Sequence, residues 1–277
     1  MLIDTHCHLN FKAFEEDWRE AVKRAKEAGV EKMVVVGTDL KSSQRAVELA
    51  EEMEGLYATA GFHPHHCRGL KGEIKEIEAE LKKLAKSKKV VAIGECGLDY
   101  SIYRRSKYKS KEVGLELKNL QKRVFGTQIQ LAKELDLPLV IHNREAEEDL
   151  MDTMEHFCKP APSGRGRVEG KYPRGVLHCI SGSQTYLKQV LEMGFYIGVD
   201  GNVTYSQEVQ RLIEKIPVEK LVLETDAPFL TPVPYRGLRN EPKNVTIVAE
   251  FVAKLKKLSL NKIQASSSKN AEALFNI

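Results

Sequence analysis

The run LIDTHCHL at residues 2–9 puts two histidines two positions apart in an apolar, β-rich stretch. Residues i and i+2 of a strand share a face, about 6.6 Å apart, so His6 and His8 are spaced to serve one metal ion. Further ligand-type residues close other apolar runs: Glu95 after VVAIG, His142 after PLVI, His178 in GVLHCI, and Glu224 and Asp226 in KLVLETD. His63 follows LYATAGF in the same way. A lone His142 or His178 reads as a hydrogen-bonded core histidine. Buried polar groups repeated at strand ends are too costly to accumulate without a partner, which turns the set toward a metal site. Even four of these five imidazoles with two of the three carboxylates suit zinc, manganese, iron or magnesium, and are too many for one catalytic zinc with its usual three protein ligands. Two divalent ions sharing a carboxylate account for the number.

The elements that must position these residues follow from periodicity. Eight β-rich runs, at 2–6, 32–37, 56–62, 90–95, 138–142, 175–180, 195–199 and 220–226, alternate with helical segments rich in Glu, Lys and Ala. Alternation of this kind predicts parallel strands joined by crossover helices. No glycine-rich phosphate loop follows the first run, so an α/β fold of the closed (β/α)8 TIM-barrel type, a single domain over 1–277, is expected rather than an open doubly wound sheet. Barrel enzymes place their chemistry at the C-terminal ends of the strands, where these residues fall.

Strand alternation aims Cys7, Cys96 and Cys179 away from the metals, toward the helices. It leaves Asp4 on the histidines' side but deeper, as a support. With five scattered cysteines and no C-x-x-C pair, the thiols are expected to be reduced. The apolar fraction of 42% and charged fraction of 30% fit a globular protein, and no apolar run nears the roughly 20 residues of a membrane span. No leader-like segment precedes the first motif, so no membrane partner and a cytoplasmic location are expected, with a monomer as the oligomeric state. A net charge of +4 says little by itself. Two long loops, 100–114 and the Pro- and Gly-rich 158–175, interrupt the pattern.

The series DTHCHL (4–9), GFHPH (61–65), GECGLDY (94–100), VIHNRE (140–145), HCISG (178–182), ETDAPFL (224–230) and YRGLRNEP (235–242) resembles, in order, that of the TatD-type deoxyribonucleases of the metal-dependent hydrolase superfamily. The resemblance runs to KNAEALF at 269–275 and implies the barrel and two divalent ions, magnesium, manganese or zinc. It implies that His6, His8, Glu95 and Asp226 hold the first ion and that Glu95, His142 and His178 hold the second, with Glu95 as bridge. Cys96, Asn143 and Ile180 depart from the family's usual residues, and the 158–175 insertion departs further.

The expected chemistry is attack on phosphorus by a metal-bound hydroxide, with Asp226 accepting the proton of the water and His63 contacting the phosphate or protonating the leaving group. Glu224 is expected to orient a ligand or water. Arg236 and Arg239 are expected to meet phosphate. The basic runs 104–111 and 165–174, with Tyr103, Tyr108 and Tyr172, are candidates for a rim over the site that binds DNA strands, single or frayed at their ends. Two other readings compete: hydrolysis of a carbonyl substrate such as aminoacyl-tRNA, and a nucleic-acid-binding barrel without chemistry. Glu95, where many related barrels use a carboxylated lysine, favours the nuclease; filled ligand positions disfavour the inert barrel.

Overall fold

In this computed structural model, residues 1–68, 70, 74–101, 114–158 and 172–277 are described. The eight apolar runs form parallel strands hydrogen-bonded in sequence order: β1 (Leu2–Cys7), β2 (Val30–Val35), β3 (Leu56–Ala60), β4 (Val90–Asp99), β5 (Leu139–Arg144), β6 (Gly175–Leu177), β7 (Tyr196–Val199) and β8 (Leu221–Leu223). Nine helices among the described residues surround them: α1 (Trp18–Glu27), α2 (Leu40–Glu52), α3 (Ile74–Leu84), α4 (Leu115–Leu135), α5 (Glu147–Cys158), α6 (Gln184–Glu192), α7 (Gln207–Lys215), α8 (Val245–Lys256) and α9 (Leu260–Phe275). A parallel bridge between Cys7 and Ala227 joins the ends of the sheet. Asp226 N–H donates to His6 O at 2.8 Å and His8 N–H to Ala227 O at 2.7 Å. The sheet is therefore a (β/α)8 barrel whose seam runs through the first histidine pair.

Helix formation is local and legible. In α1 the buried residues Trp18, Ala21, Val22 and Ala25 recur at helical spacing. The Asp39 carboxylate accepts from Ser42 N–H and the Ser42 hydroxyl from Asp39 N–H, a capping box that starts α2. Packing then divides the apolar residues in two. Leu2, Met33, Leu56, Ile93 and Ile141 face the helices. Ile3, Val34, Val91, Val140, Val176 and Val222 fill the interior with Ala271, Leu274 and Phe275 of α9. Burial of each such large side chain contributes roughly 1.5–3 kcal/mol. Helix α9 thus seals one end of the barrel and leaves the strand C-termini for polar groups.

The inward parity of Val140, Val176 and Val222 carries directly to His142, His178 and Glu224 two residues later. In β1 and β4 simple alternation fails. Ile3 points inward and Cys7 outward, and the β1–β2 pairing shifts register between Asp4 and Cys7. The β1 shift changes parity and turns His6 and His8 inward. In β4 two shifts, against β3 between Val90 and Ala92 and against β5 between Ile93 and Cys96, cancel, so Glu95 keeps the inward parity of Val91. Strand β4 also runs four residues further than its apolar run, to Asp99, whereas β6 and β8 stop before His178 and Glu224.

Among the described residues no helix is long and apolar enough to cross a membrane.

Candidate metal centre

Glu95 lies at the centre of the polar end of the barrel, its two carboxylate oxygens turned to different partners. Oε2 is 3.6 Å from His6 Nε2 and 3.9 Å from His8 Nε2. Oε1 is 3.0 Å from His178 Nε2, 3.1 Å from His142 Nδ1 and 3.5 Å from His63 Nε2. Asp226 closes the first side, with Oδ1 3.3 Å from His8 Nε2 and 3.6 Å from His6 Nε2. Burial raises the Glu95 carboxyl, but the imidazoles of His63, His178 and His142 outweigh it and hold the group well below the usual carboxylate range.

The outer partners of the rings decide which nitrogens face inward. His8 Nδ1 lies 3.1 Å from the carbonyl of Val36, which only accepts, so Nδ1 carries the proton and Nε2 turns a lone pair inward. His142 Nε2 donates to Asp99 Oδ2 at 2.9 Å, leaving the lone pair of Nδ1 toward Glu95. Nitrogens presented in this way to a buried carboxylate call for positive charge at the site, supplied by a bound cation or by protons on the rings, which burial opposes and Asp226 and Asp99 favour. His6 Nδ1, His178 Nδ1 and Glu224 Oε2 are, in addition, buried atoms with no hydrogen-bond partner. The ligating atoms of His6, His8 and Glu95 lie within 4.8 Å of one another, as do those of Glu95, His142 and His178. This donor set fits divalent cations.

The chain matches the family described as TatD related DNase over residues 3–276. It belongs to the TatD family. Membership and the clustered ligands together make it a metal-dependent hydrolase. A Bacillus subtilis TatD relative, named uncharacterized metal-dependent hydrolase YabD, is 39% identical over the whole of both chains. The 3'-5' ssDNA/RNA exonuclease TatD of Erwinia tasmaniensis is 34% identical, again over the whole of both. The crystal structure of YJJV, a TatD homolog from Escherichia coli, has a TM-score of 0.84 at 29% identity and covers 100% of this chain and 98% of that one.

Two TatD-site residues escaped the reading of the sequence. Asp99 bonds both His142 and His65 Nε2, the latter at 3.0 Å, and it groups with His63 and His142 as a third set of ligating atoms. Burial raises its carboxyl, but these two imidazoles and the Ser101 hydroxyl outweigh that and hold it far below the usual range. The signal was present, since Asp99 stands four residues after Glu95 on the same strand face. His65 N–H donates to His63 Nδ1 at 3.1 Å, so neutral His63 carries its proton on Nε2, which points at Glu95. Burial pushes the His63 imidazolium well below its ordinary value and keeps the ring neutral.

Glu224 sits behind His178, Oε1 3.5 Å from Nδ1 and accepting Cys179 N–H at 2.7 Å. Asp4 accepts from His6 N–H, Thr225 N–H and the Thr225 hydroxyl at 3.2, 3.0 and 2.6 Å. It clips the backbone of β1 to the segment after β8 rather than orienting a ring.

The two arginines do not gather at the ligands in one way. Arg239 forms a bidentate pair with Asp17, both contacts 2.7 Å, and also reaches Glu241 and the Ala13 carbonyl. Arg236 is exposed, its guanidinium 3.9 Å above the Tyr205 ring.

Two expectations need correction. Cys7 and Cys96 do face the helices, with Sγ 3.5 Å from Val34 O and Val140 O, but Cys179 does not. It lies beyond the end of β6 at φ 49°, where alternation no longer applies, and its Sγ accepts from Asn202 Nδ2 at 3.4 Å. The rim is the second. Tyr103, Tyr108, the run 104–111 and residues 165–171 lie outside the described residues. Tyr172 and Arg174 immediately precede β6, at the N-terminal end of the strands and opposite the metal ligands. Tyr172 packs on the outer core and Arg174 donates to Asp136 O at 2.9 Å, so neither stands over the site.

Proposed function

We propose that this protein is a divalent-metal-dependent 3′→5′ exonuclease that shortens unpaired DNA strands. The observation that carries the reading is the division of the Glu95 oxygens between two histidine groups 3.0–3.9 Å away. His6, His8, Glu95 and Asp226 would hold one ion, and Glu95, His142 and His178 the other. Two divalent ions, magnesium, manganese or zinc, would supply Lewis acidity at phosphorus and bring a water's pKa toward neutrality.

The residues of the chain do the rest. Asp226, beside His6 and His8, accepts the proton of the attacking water. His63 presents its Nε2–H to a phosphoryl oxygen; a neutral, buried ring suits hydrogen-bond donation better than release of a stored proton. Asp99 fixes the ring of His142, and Glu224 backs the ring of His178 from 3.5 Å. Arg236, exposed at the mouth, pairs with a phosphate of the strand. The named activity of the Erwinia relatives, on single-stranded DNA and RNA from the 3′ end, supports the polarity and the unpaired substrate.

The test is a time course with single strands labelled at either end, with magnesium or manganese, comparing wild type and Glu95→Gln. The reading expects stepwise loss from the 3′ end by wild type, abolished by chelator and by the substitution. Chelator-insensitive cleavage that is equal in both proteins would overturn it.

A further inference from the structure

Large apolar side chains are scarce on this surface except in one place. Of the eight that stand exposed among the described residues, Tyr205 follows β7, and Phe229, Val233, Tyr235 and Leu238 belong to the loop after β8. Both segments leave the C-terminal ends of strands, so this patch rims the mouth that the ligands occupy. Phe229 is 51% exposed although its ring centroid is only 6.2 Å from that of His8. Phe11 stacks on His8 at 4.3 Å and 15°, and meets Phe229 edge to face at 6.3 Å and 72°. The two phenylalanines make a corner whose inner edge is a metal-ligand imidazole. On the same rim Arg236 lies over Tyr205 and gives Thr231 O a bond of 3.3 Å, which leaves other donors of its guanidinium for a ligand.

Folding does not account for the Phe229 ring. Its main chain is held by other groups: Phe229 N–H donates to Asp226 O at 2.8 Å, and Asn240 Nδ2 donates to Phe229 O at 2.7 Å. Aromatic faces beside a hydrolytic centre, with a guanidinium next to them, match a nucleotide strand, whose bases offer π-faces and whose backbone offers anions.

We propose that Phe229, backed by Phe11, is the stacking wall for the nucleobase that flanks the scissile phosphate, with Arg236 taking the neighbouring phosphate. This rests on the nuclease reading above. The occupant is one unpaired nucleotide, because a group lying against His8 must enter together with the bond being cut. Stacking engages any base, so the wall sets the position of the strand without selecting sequence.

Two single strands test it: one with an ordinary 3′-terminal nucleotide, and one ending in a tetrahydrofuran residue that has the sugar and phosphate but no base. For Phe229→Ala, kcat/KM on the ordinary strand falls about tenfold to a hundredfold, chiefly through KM, while the baseless strand changes by less than about twofold. Phe229→Tyr restores the ordinary rate, and thermal melting and metal content of the Ala variant match wild type. An equal loss on both strands, or no loss on either, overturns the proposal. If wild type degrades neither strand, the nuclease reading itself fails; if wild type degrades both and the variants equal it, only the stacking wall does.

Discussion

Asp99 Oδ2 and His142 Nε2 lie 2.9 Å apart, and that contact chooses the nitrogen of His142 that faces Glu95. With the proton fixed on Nε2, Nδ1 is left as a donor atom for a cation, 3.1 Å from Glu95 Oε1. Replacing the carboxylate by an amide removes the preference, because an amide can donate as well as accept. Asp99→Asn is therefore expected to weaken binding of one metal equivalent about 10- to 100-fold while the fold persists. Calorimetric titration with manganese measures it, and an unchanged two-site isotherm would refute the role.

Metal should also act as a folding ligand. A ligand bound only by the native state stabilises it by about 2.7 kcal/mol at one hundred times its Kd, and His6, His8, His178 and Glu95 are buried together where a cation would bind. Added manganese or zinc is expected to raise the melting temperature of wild type by several degrees. Glu95→Gln, which uncouples the two histidine groups, is expected to lose most of that shift and about a thousandfold in turnover. A melting shift of the same size in Glu95→Gln would argue against the bridge.

Arg236 and Arg239 are expected to part company. Arg239 is committed to Asp17 and Glu241, whereas Arg236 faces solvent over Tyr205. Arg236→Gln should weaken single-strand binding and reduce the slope of log affinity against log salt by about 0.7. Arg239→Gln should leave that slope unchanged. Equal slopes for both variants would count against the assignment.

The Arg239 cluster predicts a pH dependence of stability instead. The hydrogen bond from Arg239 holds the Asp17 carboxyl below its ordinary value, and Arg24 and Arg239 outweigh burial to hold Glu241 down as well. A carboxylate with a depressed folded pKa stabilises fully above its unfolded value, about 3.9 for Asp and 4.3 for Glu, and the contribution is lost as pH falls through the folded value. Wild type should therefore lose melting temperature below about pH 4 more steeply than Arg239→Gln. Parallel curves from pH 7 to pH 3 would refute it.

Gly198 makes room for Glu224: a Cβ there would stand 2.3 Å from Glu224 Oε2. Glu224 is fully buried, so its carboxylate has little space to yield. Gly198→Ala is expected to cost about 1–3 kcal/mol of stability and to lower turnover by displacing the carboxylate behind His178. Chemical denaturation and single-turnover kinetics would measure the two effects, and a neutral substitution would show that Glu224 moves freely.

Much of the site was legible because parity is local. From Val140, Val176 and Val222 the inward direction of His142, His178 and Glu224 follows by counting two. The same counting failed for Cys179, because β6 ends at Leu177 and the chain then turns to positive φ. Asp99 was missed because the apolar run of β4 stops at Glu95, while the strand continues through Gly97 where β5 approaches too closely for a side chain.

By itself the sequence determined the eight strand–helix units, the inward chemistry of the strand ends and the family, because hydrophobic period and ligand type are properties of short segments. Only the tertiary structure decided the register shift that turns His6 and His8 inward, the Asp99 contact that sets the His142 proton, and the separate fates of Arg236 and Arg239. Each depends on a partner far away in the chain. Asp17 precedes Arg239 by more than two hundred residues, and no local pattern encodes such a meeting.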